Sequence, residues 1–361
     1  VKNIAVYGEN SSILGGIMGT SALVKEDLAV KGSKNAVKPK KKKSKLVSVL
    51  WFLIFEMFFM MITTPLLVFY GPFDNVKSTV LGSLWNSFTL KNTAKIFLSE
   101  AAIARILGDG YAISNVNTED IKMLNFGVHH SSEIDVFDVE SSNFKGKMLV
   151  VKDPTRIKVG YSNQIPRAGE TTSSIARRNG AIAAINGGGF IDTKWAGTGG
   201  MPLGVVMSEG KFISGEIKNK DLKQDTIAFT AEGMLIIGKH SQNELKKYNV
   251  KECISFGPPL IVNGKPTINK GDGGQGISPR TVIGQKEDGS VLLLVIDGRS
   301  LKSYGATLKE VQDIMLENGA ENAANLDGGS SATMFYDGKV VNTPSDALGE
   351  RSVPSVFMVM P

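Results

Sequence analysis

The stretch Asn325-Leu326-Asp327-Gly328-Gly329-Ser330-Ser331 sets a carboxylate, two glycines and two hydroxyls where one apparent strand ends and another begins. A packed core has no use for that combination, because glycine weakens a strand and a carboxylate is costly to bury. A loop that holds a polar ligand against its backbone needs all three. The same grammar recurs in Asn186-Gly187-Gly188-Gly189-Phe190-Ile191-Asp192 and in Asp297-Gly298-Arg299. Each loop alone also reads as an ordinary turn. Three of them in one domain point to a single composite site.

The carboxylates supply the first candidate chemistry. Asp297 closes the apolar run 291–296, and Asp327 closes the run 323–326. A carboxyl at the end of a buried strand can have its pKa raised by desolvation, as general acid catalysis requires. Two acids flanking one bond form the usual glycosidase arrangement. Arg280, Arg299 and Arg351 are candidates for anion recognition, because a guanidinium pairs with phosphate through two hydrogen bonds. Backbone N–H groups of the glycine loops could add to it. For any one of these arginines a surface salt bridge is the alternative.

Other chemistries lack their parts. The three histidines are His129, His130 and His240, and no His-x-x-x-His or His-Glu-x-x-His occurs, which argues against a zinc hydrolase. Gly329-Ser330-Ser331 does not complete the Gly-x-Ser-x-Gly of a nucleophile elbow. Gly271-Asp272-Gly273-Gly274-Gln275-Gly276 lacks the Gly-Lys-Ser/Thr of a P-loop, which leaves a flap over the site or a surface connection. Cys253 is the single cysteine and reads as a small buried core residue, with no internal disulfide available.

Short β-rich runs must position these loops. Candidate strands are 147–151, 181–185, 203–207, 226–230, 234–237, 259–262, 281–284, 291–296, 323–326, 333–336 and 353–359. Turn signals such as Asn263-Gly264 and Asp337-Gly338 lie between them. Two helices interrupt the strands. One covers 171–179, with Gly180 placed to close it. The other starts at Thr307-Leu308-Lys309-Glu310, a capping box, and carries the stripe Leu308, Val311, Ile314 and Met315. The pattern predicts an α+β fold over residues 119–361, with a mainly β core of mixed sheets and a few packed helices.

The formal charge of +6 in 361 residues resides largely in Lys38, Lys40, Lys41, Lys42, Lys43 and Lys45. Nucleic-acid surfaces interleave such charge with stacking aromatics, and this run has none, so nucleic acid is not an expected partner. The run instead precedes the apolar segment 46–70, whose roughly 25 residues can cross a bilayer as one transmembrane helix. Lysines on its N-terminal side predict a cytoplasmic N-terminus, with everything beyond Tyr70 outside the cell. A cleaved signal peptide is the competing reading, and the length of the run favours an uncleaved anchor. Glu56 within the span either faces a partner helix or is carried protonated. Residues 1–45 read as a mostly disordered basic tail and 71–118 as a helical stalk.

In order along the chain, Ile185-Asn186-Gly187-Gly188, Gly257-Pro258, Pro279-Arg280-Thr281, Asp297-Gly298-Arg299, Thr307-Leu308, Asn325 to Ser331 and Gly349-Glu350-Arg351 resemble the phosphodiester glycosidase family. The resemblance covers residues 120–361, and the anchored form resembles bacterial members. It implies a hydrolase of a sugar-1-phosphodiester in which Asn186, Arg280, Asp297, Asp327 and Ser330 line the site. Gly187, Gly188, Asp192, Arg299, Thr307, Gly328, Gly329, Ser331, Glu350 and Arg351 join them as substrate-binding candidates. Arg280 would hold the phosphate, and Asp327 or Asp297 would assist its departure or activate water. No metal is obligatory in this reading, although paired carboxylates could hold a calcium ion. The chain departs from the family at Gly189, where an aromatic residue often stands, and at Ala332. A glycan-binding envelope-assembly protein and a metal-dependent phosphodiesterase remain the alternatives. For an extracytoplasmic hydrolase the expected substrate is a phosphosugar or glycan of cell-wall polymer or exopolysaccharide.

Overall fold

A computed structural model describes residues 45–85, 90–110, 126–127, 130–191 and 198–361. The tail up to residue 44, part of the expected stalk and Asp192 lie outside these residues. The chain divides into two units, Val1–Met57 and Phe58–Pro361. Helix α1 (Lys45–Tyr70) runs for 26 residues and is long and apolar enough to cross a membrane or to serve as a signal sequence. Helices α2 (Asp74–Trp85), α3 (Lys91–Phe97) and α4 (Glu100–Gly110) follow it. Leu81, Ala94, Ile103 and Leu107 of these helices share a small apolar core with Phe69.

Among the described residues the rest is a mainly β fold with three further α-helices, α5 (Thr172–Arg178), α6 (Gln242–Lys247) and α7 (Leu308–Glu317). The largest sheet has seven strands. Their order is Ile134–Glu140, Lys145–Val151, Val291–Ile296, Arg280–Lys286, Ala320–Asn325, Pro259–Val262 and Lys265–Pro266. A five-stranded sheet is centred on Val250–Ile254, and another five-stranded sheet is centred on Ala183–Asn186. The α+β class holds. Every strand pair among the described residues is antiparallel, so the sheets are mixed in size and not in strand sense.

Inward side chains of all three sheets meet in one core. Leu293 and Val295 come from the large sheet, Ile227 and Ile237 from the second, and Ile185 and Val359 from the third. Phe229 and Phe357 touch edge to face there, with ring centroids 5.8 Å apart. The strand Val291–Ile296 explains its own unbroken apolar run. Its odd residues enter this core, while Leu292, Leu294 and Ile296 turn to the other face and join a second apolar cluster that includes Leu308, Val311 and Met315 of α7. Successive strand residues face opposite sides, so a strand covered on both must be apolar throughout. The expected strand 353–359 is divided at Pro354, which has no N–H to give a ladder. Ser352–Val353 pairs with Glu170–Thr171, whereas Ser355–Val359 joins the third sheet.

Candidate active site

The site forms where the ends of the large sheet meet the third sheet, and Asn186 fastens the two together. Its side chain is fully buried at the end of the strand Ala183–Asn186. The amide Nδ2 donates to the Asp327 carbonyl at 2.6 Å. Oδ1 accepts from the Thr281 hydroxyl at 2.7 Å and from the Thr333 N–H at 3.1 Å. The Asp327 N–H in turn donates to the Gly187 carbonyl at 3.1 Å. Asp327 is thus clasped on both sides of its backbone, which fixes where its carboxylate can reach. Neither Gly187 nor Gly188 lines the cavity. A Cβ at Gly187 would stand 2.8 Å from Ile254 Cδ1 and from the Ser355 carbonyl, and one at Gly188 would stand 2.6 Å from Ile254 Cγ2. These two glycines let backbones close on each other behind the site.

Beyond Asp327 the chain makes a single 3-10 turn, Gly329–Ser331. Gly329 holds a left-handed backbone, φ 61°, and a Cβ there would lie 3.0 Å from Arg299 Nη2. Asp327, Gly328, Gly329, Ser330 and Ser331 form one wall of a cavity of about 400 Å³, a size suited to a small ligand. Gly189, Phe190, Leu203 and Phe256 give it an apolar side, and Gln275, Ser278, Arg280, Arg299, Asn325 and Arg351 complete it. Gly189 stands close against Phe256. A Cβ at that position would meet the Phe256 ring at 2.8 Å, so Phe256 occupies the space that an aromatic side chain at 189 would need.

Asp327 is the carboxylate that this cavity contains among the described residues. Burial pushes its pKa up to about 6, against the opposing pull of the Ser331 hydroxyl, the Arg351 charge and the Gly328 backbone. Arg351 donates to Ser330 Oγ at 2.9 Å and lies over the Phe190 ring, 5.0 Å from its centroid. Arg299 occupies a left-handed conformation, φ 57°, which is uncommon for a residue with a side chain. Lost hydration pushes its pKa down, and the like charge of Arg351 adds to the effect. Two cations facing one cavity repel each other until an anion joins them.

Four candidates take other roles. The Arg280 guanidinium lines the cavity, yet its Nε donates to the Ala306 carbonyl, Nη1 to Gln275 Oε1, and Nη2 to the Gln275 and Gly276 carbonyls. Its donors shape the loop 271–276, while Arg299 and Arg351 line the same cavity. Asp297 stands outside the cavity wall. Its Oδ1 accepts from Asn342 Nδ2 at 3.0 Å and from the Thr343 N–H at 2.9 Å, while burial raises its pKa. Asn342 also holds the Ala332 carbonyl, so Asp297 braces the 327–331 loop from behind. Glu350 accepts from the Ser173 N–H and hydroxyl at the start of α5, away from the ligand wall. Thr307 caps α7 by accepting from the Glu310 N–H at 3.2 Å. Asp192 lies outside the described residues. Among those residues no group of three or more His, Cys, Asp or Glu side chains is placed to hold a metal ion.

Comparison with known proteins matches this architecture to a family. The model of the phosphodiester glycosidase family matches residues 179–360, which hold Asn186, Asp327 and Arg351. An uncharacterized protein of a Bacillus subtilis (strain 168) prophage is 29% identical over 213 residues, 57% of this chain and 31% of that protein. The N-acetylglucosamine-1-phosphodiester alpha-N-acetylglucosaminidase of Bos taurus is 30% identical over 194 residues, 49% of this chain and 35% of its own. The chain therefore spans about a third of the length of these curated relatives. The catalytic domain of the zebrafish enzyme of the same name, auto-inhibited by its pro-peptide, shares the fold. It superposes with a TM-score of 0.56 at 24% identity, covering 65% of this chain and 86% of that one. With half of its length under the family model, the chain belongs to the phosphodiester glycosidase family.

Proposed function

We propose that the chain hydrolyses a sugar-1-phosphodiester on the outer side of a membrane, acting on cell-wall polymer or exopolysaccharide. The observation that carries this reading is one carboxylate of raised pKa, Asp327, in a cavity that also presents Arg299 and Arg351. The two guanidinium groups receive the phosphate and stabilise it as it leaves the anomeric carbon. Near neutral pH a carboxyl titrating at about 6 is mostly ionised, so Asp327 acts as the base that takes a proton from the attacking water. Water adds to the anomeric carbon, the C1–O bond breaks, and its electron pair leaves with the phosphate. The apolar side formed by Phe190, Leu203 and Phe256 gives a face of the sugar ring a surface to rest on.

The test is incubation of the full chain in detergent micelles with methyl N-acetylglucosamine-1-phosphodiester. Free N-acetylglucosamine that persists in EDTA and is lost in Asp327→Asn supports the reading. Release of sugar phosphate that stops in EDTA identifies a metal-dependent phosphodiesterase instead. Glycan binding without turnover identifies an assembly protein.

A further inference from the structure

Helix α2 reaches the loop that carries the cavity wall. The Ile277 N–H donates to Ser83 Oγ at 3.0 Å, and that hydroxyl donates to the Thr79 carbonyl one helical turn earlier, at 2.9 Å. Gly82 is buried where the helix and the loop 271–276 meet. A Cβ there would stand 2.8 Å from Gly276 N, 3.0 Å from the Gly274 carbonyl and 3.1 Å from the Gln275 carbonyl carbon. The closeness is mutual. A Cβ on Gly276 would meet Ser83 Oγ at 2.2 Å and the Thr79 carbonyl at 2.5 Å, and Gly276 has φ 63°. Two backbones touch through two glycines, and one hydrogen bond registers them.

The far side of the same loop faces the site. Gln275 lines the cavity and accepts from Arg280, and the Gly276 carbonyl accepts from Arg280 Nη2 at 2.6 Å. Ser278, just beyond the Ser83 contact, lines the cavity too. The loop is wedged from a third direction, because a Cβ on Gly273 would lie 2.7 Å from Leu308 Cβ of α7. Four consecutive links therefore join α2 to the site: Ser83, the Ile277 amide, the Gln275–Gly276 peptide and the Arg280 guanidinium.

We propose that α2 belongs to the active site, with Gly82 and Ser83 as positioning residues that hold the loop 271–277 and, through it, Gln275, Ser278 and Arg280. The apolar helix α1 ends at Tyr70, four residues before α2 begins. Only the kinetic readout of the test rests on the sugar-1-phosphodiester reading.

The experiment compares the full chain in detergent micelles with Gly82→Ala, Ser83→Ala and Ser83→Thr, by amide hydrogen exchange of residues 271–277 and by turnover of methyl N-acetylglucosamine-1-phosphodiester. Ser83→Ala should speed exchange at Ile277 by about tenfold, the worth of one hydrogen bond, with exchange in the strand Val291–Ile296 unchanged. The ratio kcat/KM should fall by a similar factor, and Ser83→Thr, which keeps the hydroxyl, should restore both. Gly82→Ala should loosen the whole loop. If it unfolds the chain, the Ser83 pair decides, because removing a hydroxyl introduces no clash. Unchanged exchange in Ser83→Ala, or faster exchange with unchanged kcat/KM, overturns the proposal. A wild-type chain without turnover sinks the sugar-1-phosphodiester reading, and loop exchange alone then decides whether α2 holds the loop.

Discussion

Replacing Asp327 by asparagine removes a charge while keeping the shape and one acceptor oxygen. Burial raises the carboxyl from 3.8 to about 6 in the folded protein. The sign follows from linkage. A carboxyl whose folded pKa exceeds its unfolded value is disfavoured when ionised, so its charge costs stability fully above the folded pKa. The cost fades as pH falls through 6 and is gone below 3.8. About two units at roughly 1.4 kcal/mol each give a ceiling of about 3 kcal/mol. Asp327 is only partly buried, so solvent screening brings the expected gain from the asparagine to about 1–2 kcal/mol at pH 7.5. For a domain of this size that is roughly 2–8 °C in Tm.

The assay is thermal unfolding of the wild type and Asp327→Asn at pH 4 and pH 7.5, with turnover measured on the same samples. The variant should melt higher at pH 7.5 and together with the wild type at pH 4, while losing about 10²–10⁴-fold in turnover as a missing general base does. A Tm difference independent of pH would refute the assignment of the raised pKa. A variant that kept most of its turnover would refute the role of the carboxylate.

Three further outcomes follow from the contacts around it. The acid limb of kcat/KM in the wild type should lie near pH 6, and Arg351→Ala should move it to higher pH, because the Arg351 charge lowers the Asp327 pKa; a pH–rate profile of both proteins checks this. Asn186→Ala leaves the Thr281 hydroxyl, the Thr333 N–H and the Asp327 carbonyl without that partner in a dry interior, so urea unfolding should show a loss of roughly 3 kcal/mol or more. Asp297→Asn keeps an acceptor for Asn342 and Thr343 and should retain most activity, whereas Asp297→Ala should lose stability by about 1–3 kcal/mol; equal catalytic loss in both would restore Asp297 as a reacting group.

Much of this was legible in the sequence wherever a local rule and the tertiary context agreed. The run 291–296 is a strand buried on both faces, and the Thr307/Glu310 capping box begins a helix. Ile134–Glu140 carries little strand signal in its sequence, although Ile134 and Val136 share one face and Phe137 and Val139 the other. It is an edge strand with mostly unburied residues, and its acids interrupt the apolar signal. Helix α6 has a capping box, Ser241 with Glu244, but lasts 6 residues, too short to build a periodic stripe. Within the site, Asp327 and the glycines were visible as a local cluster. Phe256 and Leu203 were not, because an apolar residue lining a cavity is chemically indistinguishable in sequence from one filling a core. Gln275 lay in a loop that read equally as flap or connection, and only the Arg280 contact ties it to the site.

The arginines show why residue type alone could not assign the chemistry. Arg280, Arg299 and Arg351 have the same donors, but Arg280 delivers four hydrogen bonds to protein oxygens and so holds a loop. Arg299 and Arg351 line the same cavity without that loop-holding role, and the cavity then has three guanidinium groups and one described carboxylate. That ratio suits one kind of leaving group. An alcohol leaving a sugar needs a proton and hence a second acid, the role for which Asp297 was a candidate. A phosphate leaves as an anion and needs positive charge instead. With Asp297 occupied by Asn342 and Thr343, the described cavity is poorly equipped for an ordinary glycoside and well equipped for a glycosyl phosphate. An alkyl N-acetylglucosaminide of the same anomeric form should accordingly be turned over orders of magnitude more slowly than the methyl phosphodiester. Comparable rates on the two would mean that a second acid reaches the cavity.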